Sequence, residues 1–304
     1  MEDSVIVLMS TYNGEKYLRE QIDSILNQKN ISVRLLVRDD GSQDSTISIL
    51  EEYAGQDARI SYYSEGNLGP AKSFLDLVRK APESPFYAFS DQDDVWDLDK
   101  ISVAVNEIKK LDLGKPAMYF SNLRIVDQNL QFCRMSHSYS QYQENKYAAL
   151  AEYMPSGCTM LFNKAAVDLI NMKEPEWCTM HDVWIYLICM FFGSTIYDIE
   201  GHINYRQHSN NVMGAYKKKT IKLYIDRLKR ALDRNQQPKY MNAINFYKCY
   251  GDLLTSKDRE KVEEIVHYKD SFRNWMKLLF DKDIKATSWS RDVRNRLLIF
   301  ARIF

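Results

Sequence analysis

From residue 4 to about residue 110, short β-branched apolar runs alternate with segments whose apolar residues recur at helical spacing. That rhythm leaves few folds open. "SVIVLMST" (4–11) reads as a buried strand closed by the turn "YNGE". "EKYLREQIDSILNQ" (15–28) then puts Leu18, Ile22, Ile25 and Leu26 on one helical face. "SVRLLVRDDGS" (32–42) is a second strand, and Asp44 reads as the N-cap of a helix through "STISILEEYAG". "RISYYS" follows as a third strand, and "GNLGPAKSFLDLVRK" as a glycine-containing loop feeding another helix. "PFYAFSD" is a fourth strand, and Leu98, Ile101, Val105 and Ile108 mark one more amphipathic helix. The alternation predicts an α/β fold with a mostly parallel sheet covered by helices on both faces.

In open α/β sheets ligands bind beyond the carboxyl ends of the strands. Thr11-Tyr12, Asp39-Asp40 and the cluster in "AFSDQDDVW" (88–96) all fall at such ends, so three separate stretches are expected to meet in one crevice. Asp91, Asp93 and Asp94 lie within four positions, with no lysine or arginine in the stretch to pair with them. Such a cluster suits a hard divalent cation, Mg2+ or Mn2+, which prefers oxygen ligands and leaves places for phosphate oxygens. A polar turn with a helix N-cap accounts for some of the same carboxylates. Asp40 in "DDGS" has two readings as well: turn chemistry, or a carboxylate accepting the ring N3–H of uracil or thymine.

After residue 115 the pattern becomes strand-rich, with "PAMYFSNLRIVD" and "GCTMLFN", then an apolar helix "VWIYLICMFFG". "STIYDIEGHINYRQHSNN" reads as a strand and a polar loop. From about residue 217 only helices are expected, the first in "TIKLYIDRLKRALDR", with Ile221, Ile225, Leu228 and Leu232 in one stripe. Charge divides the same way. Residues 1–208 carry 19 Lys and Arg against 30 Asp and Glu, whereas residues 209–304 carry 22 against 11. The acidic part suits a metal and the basic part an anionic surface. The expected division is a domain over 1–210 and a basic helical extension over 211–304.

Composition narrows the class further. An apolar share of 45 % in 304 residues supports a substantial core. No apolar run approaches the roughly 18–20 residues of a membrane span, and the acidic start "MEDSVIVLMSTYNG" lacks the basic region of a signal peptide. The five cysteines form no CxxC pair and read as reduced thiols. The expectation is a cytoplasmic protein, with peripheral attachment to the inner face of the cell membrane as an option.

"VLMSTYNGEKYLREQIDSILNQ", "VRDDGSQDST", "NLGPAKSF" and "SDQDDVW" together resemble the family 2 nucleotide-sugar glycosyltransferases, in order and spacing, over roughly residues 4–208. "SDQDDVW", with "MHDVW" and "YRQH" downstream, is similar to the bacterial rhamnosyltransferase-like members of polysaccharide pathways. The resemblance implies a GT-A-type (Rossmann-like) fold and metal-dependent, inverting transfer of a sugar from a nucleoside diphosphate. It implies a dTDP-rhamnose donor, with UDP-linked galactose, glucose or N-acetylhexosamine as the alternative. The acceptor would be a glycan or lipid-linked oligosaccharide of the bacterial cell surface.

Carried over by position, Thr11, Tyr12 and Asn13 would line the base pocket and Asp40 would bind the pyrimidine. Asn67, Gly69 and Lys72 would border the nucleotide-sugar, and Asp93 would touch the ribose or the metal. Asp94 would be the main metal ligand, with Asp91 and His208 beside it; His202 is the rival histidine. Asp182 in "MHDVW" would be the catalytic base, though a carboxylate opening a helix also reads as a cap. Gly157 and Cys158 in "PSGCTM", with His181 and Trp184, would form the acceptor and sugar loop, although Cys158 and Trp184 also read as packing.

Other classes fit less well. A nicotinamide-dependent dehydrogenase needs GxGxxG after the first strand, and "STYNGE" lacks it. A metal-dependent hydrolase or nucleotidyltransferase could use the same crevice, and a sugar-binding protein without activity would have no need of Asp40, Asp94, Asp182 and His208 together. Nucleic acid is not an expected partner. In the tail, Trp289, Val293, Leu297 and Phe300 form a stripe flanked by Arg291, Arg294, Arg296 and Arg302. A basic amphipathic helix of this kind lies on anionic lipid or packs within its own domain or a homodimer.

Overall fold

The parallel pairing of the first strands decides where the site lies. In the computed structural model, described for residues 4–136, 145–208 and 237–304, β1 (Ser4–Thr11) pairs in parallel with β2 (Ser32–Asp39) and with β4 (Phe86–Ser90). Thr11 stands opposite Asp39, and Met9 opposite Ser90. The segments after these strands, Tyr12, Asp40 and Asp91, therefore leave the sheet side by side. β3 (Ile60–Ser64) joins the other edge of β2 in parallel.

The sheet continues past β4 with a reversal. β8 (Leu161–Asn163) runs antiparallel to β4 and to β6 (Ala117–Val126), and β9 (Ser194–Arg206) lies parallel to β6. The short β5 (Val95–Trp96) pairs antiparallel with β9, and β7 (Phe132–Met135) pairs with β6. The order is β3-β2-β1-β4-β8-β6-β9-β5, a mixed and mostly parallel sheet of the kind expected. The β5–β9 pairing brings the chain after Arg206 up against the aspartates that precede Val95.

Side-chain alternation along β1 feeds two cores. Val5, Val7 and Met9 pack with α1 (Leu18–Leu26), α2 (Thr46–Gln56) and α4 (Lys100–Ile108) on one face. Ile6 and Leu8 pack with α3 (Pro70–Lys80), α5 (Lys164–Met172) and α6 (His181–Phe192) on the other. The second core extends into the C-terminal helices: α7 (Pro238–Tyr250), α8 (Ser256–Val266), α9 (Phe272–Phe280) and α10 (Trp289–Phe300). Phe246 meets Trp184 at 5.9 Å and Phe191 at 5.2 Å between ring centroids. The acidic and basic parts thus share one hydrophobic interior.

Some local expectations shift. α1 starts three residues later than the pattern suggests, because Gly14 O first accepts from Tyr17 and Leu18 in a turn. Asp44 accepts from Thr46 N and from Glu15 N, so it ties two loops together just ahead of the helix. Leu98 is exposed in the turn before α4, and Lys100 is buried in its place. "GCTMLFN" opens as a 3-10 turn over Gly157–Thr159 before its strand. The stripe of Ile221, Ile225, Leu228 and Leu232 lies outside the described residues.

Candidate active site

Two aspartates at the end of β2 organise the floor. Asp39 is buried and accepts from Thr11 Oγ1, Gly41 N, Ser42 N and Ser64 Oγ. Asp40 is buried as well and pairs with Arg38, while Leu68 N and Gly69 N donate to it at 2.8 and 2.9 Å. Gly69 has φ 76°, a left-handed conformation that favours glycine, and it turns its N–H toward Asp40. Asp40 thus fastens the loop before α3; a base at this carboxylate would share it with those donors. Asn67 and Lys72 are exposed along the same loop and helix start.

The β1 loop is clamped to the acidic loop. Tyr12 N donates to Gln92 Oε1 at 2.9 Å, and Gln92 Nε2 donates back to Tyr12 O at 3.1 Å. Asn13, at φ 49°, accepts from Gln43 N and donates its own N–H to Ser42 Oγ. Thr11 is fully buried and holds Asp39, so it supports the pocket from beneath; Tyr12 leaves about half its surface open.

The acidic cluster divides in two. Asp93 Oδ2 faces His208 Nε2 at 2.7 Å. Asp94 is fully buried, with Oδ1 accepting from Arg206 N at 3.1 Å and Oδ2, among the described residues, without a hydrogen-bond partner. Oxygens of Asp91 and Asp94 and the Cys158 sulfur lie within 4.8 Å of one another. The rival, His202, pairs with Asp198 at 3.1 Å and sits near Asp97 and Asp99, away from this cluster.

The cluster is short of positive charge. Burial raises the Asp91 carboxyl to about 7, and Asp93 and Asp182 push it the same way. Burial also raises Asp93, against the pull of His208, and holds Asp94 well above the carboxylate range, helped by Asp93 and Asp91. Two basic residues approach from outside the motif. Arg206 is buried and donates to Asp93 O and to Glu20, gripping the loop backbone. Lys100 Nζ lies 3.6 Å from the Trp96 ring centroid, and burial lowers its amine to about 8.

Across the crevice, Asp182 lies in the first turn of α6. Its Oδ1 accepts from Val183 N at 2.7 Å and its Oδ2 from Gly157 N at 3.2 Å, while burial raises it to about 6. His181 is buried, stacked on Phe74 at 3.9 Å and edge-on to Phe89 at 4.5 Å, and burial keeps it neutral down to about 3. A Cβ on Gly157 would stand 2.7 Å from His181 Nε2, so glycine is what lets that loop rest on the His181-Asp182 pair.

Two assignments to the sugar loop need correction. Trp184 has no exposed surface and packs against Phe246 and Tyr250, because the helical turn after Asp182 points it into the core. His181 is 3 % exposed and stands beneath Gly157, where it supports the loop. Sequence reasoning passed over Arg206, Lys100 and Gln92. The invitation was the uncompensated charge itself, but nothing local says which distant residue answers it.

An acidic cluster beyond the carboxyl ends of β1, β2 and β4 on a mixed, mostly parallel sheet is the arrangement of the GT-A glycosyltransferase fold. The chain belongs to glycosyl transferase family 2, whose family model matches residues 6–170. It is 30% identical over 224 residues to the dTDP-rhamnosyl transferase RfbG of Shigella flexneri, a match covering 68% of this chain and 74% of that one. The putative glycosyltransferase EpsH of Bacillus subtilis is 25% identical over 231 residues, covering 71% of this chain and 64% of EpsH. Among solved structures, S. aureus TarS 1-349 in complex with UDP-GlcNAc aligns at TM-score 0.55 with 17% identity, over 98% of this chain and 90% of that one. The mannosyltransferase PcManGT of Pyrobaculum calidifontis, in complex with GDP-Man and Mn2+, aligns at 0.51 with 14% identity, over 99% and 86%. These structures share the fold.

Proposed function

We propose that the chain transfers a sugar from a nucleoside diphosphate to a hydroxyl of a glycan or lipid-linked acceptor, with inversion at the anomeric carbon. The observation that supports this reading is the buried Asp182 carboxyl, near enough to Asp91 to raise it and itself raised by burial to about 6. A base of that strength is ionised at neutral pH and can still take a proton during attack. The acceptor oxygen forms its bond to the anomeric carbon as the bond to the diphosphate oxygen breaks. The hydroxyl proton passes to Asp182, and the nucleoside diphosphate leaves with both electrons of the broken bond. No covalent enzyme intermediate is needed.

The donor set supports a divalent cation. Asp93 and His208 stand with adjacent donor atoms 2.7 Å apart, Asp91 adds oxygen, and the unpartnered Oδ2 of Asp94 lies in a cluster without its own counter-charge. Asp91, Asp93, Asp94 and His208 would hold Mn2+ or Mg2+, which would neutralise charge gathering on the departing diphosphate. Asp94, expected as the main ligand, gives Oδ1 to Arg206 N and keeps Oδ2 open, with one of its oxygens within 4.8 Å of an Asp91 oxygen.

Similarity to RfbG favours dTDP-rhamnose as the donor. Asp40 with Tyr12 and Asn13 would hold the thymine edge, and Asn67, Gly69 and Lys72 the nucleotide-sugar beyond it. UDP-hexoses present the same base edge and are the first alternative; cell-surface polysaccharide is the product class either donor suggests. The test incubates protein, Mn2+ and each nucleotide-sugar with and without acceptor, scoring nucleoside diphosphate release. Release that requires acceptor supports transfer. Equal release without acceptor replaces the reading with a hydrolase, and no release with any donor rejects it.

A further inference from the structure

Among the described residues, none covers an apolar face carried by the C-terminal helices. On α10, Trp289 is 82 % exposed, Leu297 62 % and Phe300 63 %, with Val293 between them on the same stripe. On α9, Phe272 and Phe280 are exposed to a similar degree, 68 % and 67 %. The two helices join through Trp275, whose ring centroid lies 5.4 Å from Phe272 and 5.6 Å from Phe300. Arg296 fixes them together by donating to the carbonyls of Leu278, Leu279, Asp281 and Ile284 at the end of α9. Phe272 and Phe300 therefore belong to one platform through Trp275, on two helices that Arg296 ties together. Scattered surface apolar residues need no explanation, but a contiguous patch of aromatics does.

Charge around the patch selects its occupant. Residues 271–304 contain eight Lys and Arg against three Asp. Those three acids are paired: Asp281 and the half-exposed Asp283 with Lys261, and Asp292 with Ala286 N and Arg296. Among the described residues, no carboxylate stands within ion-pair distance of Arg273, Arg294 or Arg302, and Arg302 lies 5.7 Å from the Trp275 ring centroid. Two copies of this face brought together would oppose like charges, whereas an anionic surface answers both the rings and the arginines. We propose that the α9–α10 face docks the protein on an anionic lipid surface, with Trp289, Leu297 and Phe300 entering the interface and Arg273, Arg294 and Arg302 meeting headgroup phosphates. Among the described residues no helix is long and apolar enough to cross a membrane.

The probe is co-sedimentation of the full chain with phosphatidylcholine vesicles, with and without phosphatidylglycerol, at low and high salt. Binding should need the anionic lipid and weaken in salt. Leu297→Glu/Phe300→Glu should cut the bound fraction at least ~10-fold, and Arg294→Glu/Arg302→Glu should abolish the preference for phosphatidylglycerol. These side chains are exposed, and an unchanged melting temperature checks that each variant folds. Sedimentation velocity runs beside it. No vesicle binding by the wild type overturns the proposal. So does a dimer broken by Leu297→Glu/Phe300→Glu while vesicle binding is unaffected, which assigns the face to a second copy.

Discussion

At the scale of single residues, Asp182 separates two roles that a sequence leaves superimposed. Its carboxylate accepts from Val183 N and Gly157 N, as a helix-start carboxylate does, yet burial raises it to about 6. A carboxyl whose native pKa lies above its unfolded value binds more protons in the native state between about 4 and 6. Its ionised form therefore costs stability as pH rises through that window, and the cost is complete at neutral pH. Asp182→Asn keeps an accepting oxygen and removes the charge. It should melt higher than wild type at pH 7.5, with the gain shrinking toward pH 4, while transfer falls by about 10²–10⁴-fold. Wild-type transfer should rise with pH through about 6. Thermal melts at both pH values, with transfer assays on the same samples, check this; near-normal transfer by Asp182→Asn rejects the base. The metal rim gives a second prediction. Asp93→Ala and His208→Ala should each weaken Mn2+ binding by at least ~10-fold, the least that loss of even an outer-shell partner typically costs, and His202→Ala should leave it unchanged, because His202 faces Asp198. Calorimetric titration of Mn2+ into the three variants decides, and the reverse pattern moves the ligand to His202.

At the scale of elements, the site depends on how β2 is tied to α3. Arg38 is fully buried and reaches Asp40, Asp76 at 3.1 Å, Ser73 Oγ at 3.1 Å and Gly66 O at 2.9 Å. One guanidinium thus joins the end of a strand, a loop and the first turns of a helix, with good partners for most of its donors. Arg38→Ala strands Asp40 as a buried carboxylate without its cation and should cost about 3–5 kcal/mol. Urea unfolding measures it; a loss under about 1 kcal/mol, the worth of an exposed pair, shows that the network is not what fixes this corner. The elements themselves were readable where periodicity is strong. β1 to β4 and α1 to α3 follow the alternation because their apolar residues face a core on both sides of the sheet. α4 is where periodicity misled: Leu98 fits the stripe by spacing but falls in the turn, and the buried position goes to Lys100, whose aliphatic stem packs beside Trp96.

At the scale of the whole molecule, the division of charge near residue 208 does not divide the interior. Trp184 and Phe191 of the sheet region share a core with Phe246 and Tyr250 of the helical region, and Glu152 pairs with Arg291 and accepts from Thr287 N at 2.7 Å. Calorimetry should accordingly show one cooperative transition. Cutting the chain after His208 should leave Trp184 uncovered and give an aggregating product. Two separated transitions, with the first part stable alone, would contradict this.

The sequence by itself determined the α/β class, the strands that begin it, and the meeting of Thr11, Asp40 and the aspartates beyond their ends. Those follow from the strand–helix alternation, since ligands of open α/β sheets bind beyond the carboxyl ends of parallel strands. It also determined that Asp91, Asp93 and Asp94 lack a counter-charge within their stretch. Only the tertiary structure decided which aspartate faces His208, because that depends on β5 pairing with β9 across more than a hundred residues. The same pairing delivered Arg206 to the loop, turned Asp94 inward and left His202 facing Asp198. Periodicity reports which face of an element is apolar; it carries nothing about which distant element will stand opposite that face.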